Sequence, residues 1–207
     1  MNRFTSALLF VLLAALTAVQ SSADPLADAF AAMDRHDYAA AVRLLRPLAE
    51  KGNAEAQYAL GDIYLYSEGF PHDDAESAKW YLRAAEQGHP GAQNSLGGLH
   101  RIGRGVSEDQ VEAAKWYRRS ADQGYAIGQA ELATCYLMGL GVERDNVQAY
   151  MWFQLASTRF SASQQHRVQL AIDNRDYAAT SMTPEQIAEA QRLAREWKPT
   201  PEKPVKK

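Results

Sequence analysis

The sequence predicts an all-α fold, a solenoid of helical hairpins closed by a C-terminal capping helix. Three observations predict it: an internal repeat, helical apolar spacing within each copy, and glycine-bearing turns between the helices. The repeat has a period of 36 residues. Trp80, Trp116 and Trp152 fall at that interval, each followed by an aromatic ring, Tyr81, Tyr117 and Phe153. Leu60, Leu96 and Leu132 keep the same step, as do Ala56, Ala92 and Gly128, and the glutamines after them, Gln57, Gln93 and Gln129. Gly69, Gly105 and Gly141 and then Asp73, Asp109 and Asp145 complete the register.

In chain order, residues 1–23 read as a signal peptide. Arg3 supplies the positive start, Leu8 to Ala18 an apolar run, and Ser21-Ser22-Ala23 small residues at the cleavage positions. The run is about a dozen residues, too short for a hydrocarbon core that needs about 20. No cysteine stands near the cleavage positions to carry a lipid, so no stable membrane anchor is expected after signal cleavage. The expected location is periplasmic or secreted.

Residues 24–53 form a degenerate N-terminal repeat. Asp37, Val42, Leu44, Leu45, Leu48, Ala49 and Gly52 stand one period before the second-helix positions of the first good unit. Pro25 to His36, with Leu26, Ala27, Phe30 and Met33, would be its first helix, the atypical cap that terminal repeats provide. Three full repeats follow at 54–89, 90–125 and 126–160. In the first, Leu60, Ile63 and Tyr64 are spaced i, i+3, i+4, and Ala78, Tyr81, Ala84 and Ala85 mark a second helix. Turns lie at Gly69-Phe70-Pro71, Gly103-Arg104-Gly105 and Gly139-Leu140-Gly141. Asp73, Asp109 and Asp145, with Glu76, Glu112 and Gln148 three residues on, predict capping boxes at the second helices, which stop at Gly88 or Gly124.

Phe160 replaces the helix-ending glycine, so the chain is expected to leave the array and form C-terminal capping helices over 161–197. A helix over 161–179 would turn Val168, Ala171 and Ile172 inward. Thr183-Pro184-Glu185-Gln186 predicts a capping box opening a last helix, with Ile187, Ala190, Ala194 and Trp197 on the face that closes the array. The stretch 198–207, with three prolines among lysines, is expected to be a disordered tail.

The balance of 22 basic and 25 acidic residues, formally −3, lacks the basic excess of a nucleic-acid footprint, so no nucleic acid is expected as partner. Cys135 is the single cysteine and can form no disulfide within the chain. A chain of this size buries about 70% of its unfolded surface and can hold together by packing alone.

The search for chemistry returns no catalytic site, cofactor or metal. There is no Ser-x-x-Lys with Lys-Thr-Gly, no Gly-x-Ser-x-Gly, no phosphate-cradling Gly-x-x-x-x-Gly-Lys and no His-Glu-x-x-His. His36, His72, His89, His100 and His166 are scattered. His72-Asp73-Asp74 offers adjacent donors, but Asp73 is accounted for as a cap. Cys135 occupies the position of Leu99 and Ile63, so it is expected to be buried and inert.

Each unit, from the small residue through Leu-Gly, Tyr, Gly-x-Gly-Val, Asp, Trp-Tyr, Ala-Ala and Gly, resembles the Sel1-like repeat, a branch of the tetratricopeptide superfamily, in its exported bacterial type. Unit two shows it best, in Leu96-Gly97, Gly103-Arg104-Gly105-Val106, Asp109, Ala114-Lys115-Trp116-Tyr117, Ser120-Ala121 and Gly124. Unit one departs at Ser67 and unit three at Ala133. The resemblance covers 54 to about 157. It implies a right-handed α/α solenoid and a non-catalytic protein–protein interaction module of the bacterial cell envelope, an adaptor, scaffold or regulator. The implied binding surface is the concave face lined by the first helices, where Tyr58, Asp62 and Tyr66, then Asn94 and Arg101, then Ala130, Thr134 and Met138 would meet a protein or peptide. A cysteine-rich branch of the family implies the runner-up, a β-lactam or cell-wall peptide hydrolase; its paired cysteines do not occur here.

Overall fold

The computed structural model describes residues 24–202. The signal-peptide assignment at 1–23 and the last five residues lie outside them. Among the described residues there are ten α-helices and no strand. Helices α1 (Pro25–Asp34) and α2 (Tyr38–Glu50) form the degenerate hairpin. The full units are α3 (Ala54–Tyr66) with α4 (Asp74–Glu86), α5 (Pro90–Ile102) with α6 (Gln110–Asp122), and α7 (Ala126–Met138) with α8 (Asn146–Ser157). After a short 3₁₀ turn, Ala162–Gln164, come α9 (Gln165–Ala179) and α10 (Pro184–Glu196). Through α9 each helix packs on those adjacent in sequence, and the chain is an α/α solenoid.

A solenoid has no single core, and the buried side chains form three successive clusters. Leu45, Leu60, Ile63 and Trp80 lie in the first. Tyr81, Leu96, Leu99 and Trp116 lie in the second. Tyr117, Leu132, Trp152 and Phe153 lie in the third, where α10 joins through Ala190, Ile187 and Trp197. Trp197 meets Trp152 edge-on at 5.8 Å. Of the residues expected inward on α9, Ala171 is buried and Val168 and Ile172 are half-buried.

The recurring glutamines stitch unit to unit. Gln57, Gln93 and Gln129 are buried. Each donates its amide to a carbonyl at the end of the preceding unit's second helix, Ala49 at 2.8 Å, Ala85 at 3.1 Å and Ala121 at 3.2 Å. Gln87 and Gln123 in turn donate to the side-chain oxygens of Gln57 and Gln93. Arg159 stands at that place in unit three, and the Gln129 oxygen has no partner there. The turns are the other point of contact. Gly105 and Gly141 take φ of +71° and +68°, and a Cβ on either would run into the backbone carbonyl of Asp74 or Gln110 in the preceding unit.

Three expectations need correction. First, α1 stops at Asp34 because His36 adopts a left-handed φ of +60°, which ends the helix two residues early. Second, only half of each predicted capping box forms at α4, α6 and α8. Asp73, Asp109 and Asp145 accept from the backbone N–H of Glu76, Glu112 and Gln148. Their own N–H groups already donate to the carbonyls of Tyr64, His100 and Tyr136, so nothing is left for the reciprocal bond. Glu76 turns instead to Trp80 Nε1 at 2.8 Å. The box at Thr183 and Gln186 forms both halves.

Third, residues 198–202 of the expected disordered tail lie on the array. Thr200 N–H donates to the Asp122 carbonyl at 2.7 Å. Glu202 accepts from Arg119 Nε at 2.8 Å and Arg119 Nη2 at 2.7 Å. The prolines keep the segment extended, and the Arg119 fork anchors it.

Candidate functional site

The first-helix face is shaped from below by the second helices. Gly61 and Gly97 lack a Cβ where the rings of Tyr81 and Tyr117 approach; at Gly97 a Cβ would stand 2.8 Å from the Tyr117 ring. This close approach lets the phenol oxygens reach the first-helix face. Tyr81 donates to Asp62 Oδ1 at 2.5 Å. Arg101 Nε donates to the Tyr117 oxygen at 3.3 Å. In unit three Ala133 replaces the glycine and Phe153 the tyrosine, so no hydroxyl arrives.

Around Asp62 a half-buried cluster assembles. Tyr58 stacks on His89 with ring centres 4.5 Å apart and lies 5.8 Å from Tyr81. His89 Nδ1 accepts from the Ala92 N–H at 3.0 Å as the cap of α5, which leaves Nε2–H to donate to Glu55 at 3.1 Å. Burial raises the Asp62 carboxyl above its ordinary range, against the hydrogen bonds from Tyr81 and Tyr58. Burial, and then the charge of Asp62, push the Tyr58 and Tyr81 hydroxyls upward, so both stay protonated donors. Met33, Tyr38, Tyr58, Asp62 and Tyr66 line an open recess of about 500 Å³ over this cluster.

The predicted residues therefore divide. Tyr58, Asp62 and Tyr66 share one recess. Arg101 belongs to a second group with Tyr117 and Glu131, whose carboxyl burial raises and Arg101 and Arg167 lower. Asn94 is half-buried with its Oδ1 unpartnered. Ala130 is half-buried and its carbonyl accepts from Thr134 Oγ1 at 2.9 Å, so that hydroxyl is engaged within its own helix. Tyr66 and Met138 are open to solvent, 66% and 65% exposed. Sequence reasoning missed His89, Tyr81 and Glu131. Glu131 does carry a signal, standing where the earlier units have Ala59 and Ser95.

The other candidates have structural partners. Asp73 caps α4, Asp74 pairs with Arg104 at 2.8 Å, and His72 Nε2 lies 3.2 Å from the Ser67 carbonyl. Among the described residues no three His, Cys, Asp or Glu side chains gather as a metal site would require. Cys135 is buried and its thiol is pushed up to about 11, chiefly by desolvation, so it stays neutral and weakly nucleophilic.

Comparison with known proteins adds to this geometry. No curated protein matches the chain. Among solved structures, c5321, described as a protective antigen present in uropathogenic Escherichia coli strains displaying an SLR fold, is 33% identical with a TM-score of 0.69. That match covers 77% of this chain and 33% of c5321, so the chain spans about a third of its length. A Sel1 repeat protein from Oxalobacter formigenes is 32% identical with a TM-score of 0.55, over 57% of this chain and 91% of that one. The family model described as Sel1 repeat matches residues 32–53, 54–89, 90–125 and 126–159. With four copies across most of its helical array, the chain belongs to the Sel1 repeat family, whose proteins are generally protein-interaction modules.

Proposed function

We propose that this chain is a non-catalytic interaction module of the bacterial cell envelope, exported to the periplasm or beyond, that binds a protein or peptide on its first-helix face. The observation that carries the reading is the recess where exposed Tyr66 adjoins the Tyr58–Asp62–Tyr81 cluster. Tyrosines with free edges beside a desolvated carboxylate offer both apolar area and a fixed polar contact, the combination found at binding anchors. Met138, at the other end of the face, adds an adaptable apolar contact. The leader-like residues 1–23 support export.

The test separates binding from folding. Tyr58 and Asp62 are tied into the packing, whereas Tyr66 and Met138 project outward. Capture from an envelope extract by wild-type protein, compared with Tyr66→Ala/Met138→Ala, is expected to lose its specific partners while the melting temperature holds. Equal recovery by both proteins would remove this face from consideration. For location, intact mass of the protein recovered from the periplasmic fraction is expected to begin at Asp24; a chain that retains Met1 and stays in the cytosol would contradict export.

A further inference from the structure

The second helices place an arginine at the same register point in two units, Arg83 and Arg119; Pro47 and Leu155 occupy that point in the flanking units. Each guanidinium lies over its own unit's tryptophan, Arg83 at 4.7 Å from the Trp80 ring centre and Arg119 at 4.5 Å from that of Trp116. The surroundings are duplicated as well. Gln87 donates to Gln57 at 2.6 Å beside Arg83, and Gln123 donates to Gln93 at 2.8 Å beside Arg119.

At Arg119 the chain displays what such a site holds. The Glu202 carboxylate takes two bonds from the arginine fork and a third from Gln93 Nε2 at 3.0 Å. Its side chain passes Gly88, where a Cβ would come within 3.1 Å of the Glu202 Cβ, and the segment is tethered by the Thr200 to Asp122 bond. A bidentate arginine, an amide donor, a glycine floor and a main-chain tether are the parts of a carboxylate-reading peptide site. Arg119 and Gln93 hold the Glu202 carboxyl below the usual carboxylate range.

The equivalents of these residues, Arg83, Gln57, Gln87 and Gly52, line an open recess of about 900 Å³ that adjoins Arg119. Among the described residues no carboxylate is within ion-pair distance of Arg83. Glu50 and Glu86 stand at its edge. They are no bar to an acidic ligand, since Glu86 and Asp122 hold the corresponding places around Arg119, where Glu202 binds.

We propose that the Arg83 recess is a docking site for an extended, proline-containing segment of a partner protein, and that it reads a Glu or Asp side chain there as Arg119 reads Glu202. This site is independent of the first-helix face, and either could fail without the other. The test uses a fluorescent, end-blocked peptide Lys-Pro-Thr-Pro-Glu-Lys, copying residues 198–203, titrated into the full chain by polarisation. Saturable binding is expected, weakened about tenfold or more by Arg83→Ala, the scale of a lost charge-assisted fork. Arg83→Lys, which keeps the charge and the stem over Trp80, is expected to lose a smaller part, and a peptide with Gln for Glu as much as Arg83→Ala. Circular dichroism melts of the variants establish that they fold. The proposal is overturned by no binding to wild type, by binding that Arg119→Ala abolishes and Arg83→Ala leaves unchanged, or by Arg83-dependent self-association in sedimentation, which would make the occupant a second copy.

Discussion

Asp62 shows how one residue on the first-helix face is held at a cost to the fold. Its carboxyl is desolvated and its pKa raised, so the folded chain binds the Asp62 proton more tightly than the unfolded chain does. The stability that follows is fully present below the unfolded carboxylate pKa, about 4, and is lost as pH rises through the higher folded value. Asp62→Asn keeps an oxygen to accept from Tyr81 and carries no charge. It is expected to melt above wild type at pH 7 and to match it near pH 3; a constant difference across that range would show that burial of the charge is not the cause. A buried carboxylate retained against stability is the kind of local conflict that functional positions carry. Neither the Tyr81 hydroxyl bond nor the desolvation is legible in the residue types alone, because both arise from how closely α4 approaches Gly61.

At the scale of the helix, the second helices of the three full units hold the array through one tryptophan each. Trp80 and Trp152 are each 2% exposed and Trp116 8%, the last covered by Arg119. Trp116→Ala is expected to cost toward the lower end of the roughly 3–5 kcal/mol typical of a buried aromatic truncation, measured as a shift in the urea midpoint at constant slope. A change below about 1 kcal/mol would mean that the neighbouring units, not this ring, carry the packing. Helix positions of this kind are legible in the sequence because a 36-residue period repeats each signal several times over. What is not repeated is not legible. The capping boxes fail on a carbonyl nine residues upstream, at Tyr64, His100 and Tyr136. The Glu202 to Arg119 pair joins residues far apart in the chain and follows no period. Composition marks 198–207 as a tail, yet one charged fork and one main-chain bond are enough to lay its first residues down.

For the molecule as a whole, the two ends are unequally supported. Helix α8 is packed by α7, α9 and α10, whereas α1 rests on α2. Solenoid stability is close to a sum over units and their interfaces, so opening is expected to proceed from the end with fewer neighbours. Amide hydrogen exchange is expected to be slowest in α8 and fastest in α1; protection of equal strength throughout would indicate a single cooperative block instead. The turn glycines bear on a different property of the whole. At Gly105 and Gly141 the main chain of one unit lies against the main chain of the unit before, with no side chain between them. At these two junctions the approach of one turn to the unit before is therefore limited by backbone dimensions and not by side-chain volume. A single methyl group at either glycine would force the two backbones apart, and every unit beyond that junction would be displaced with it.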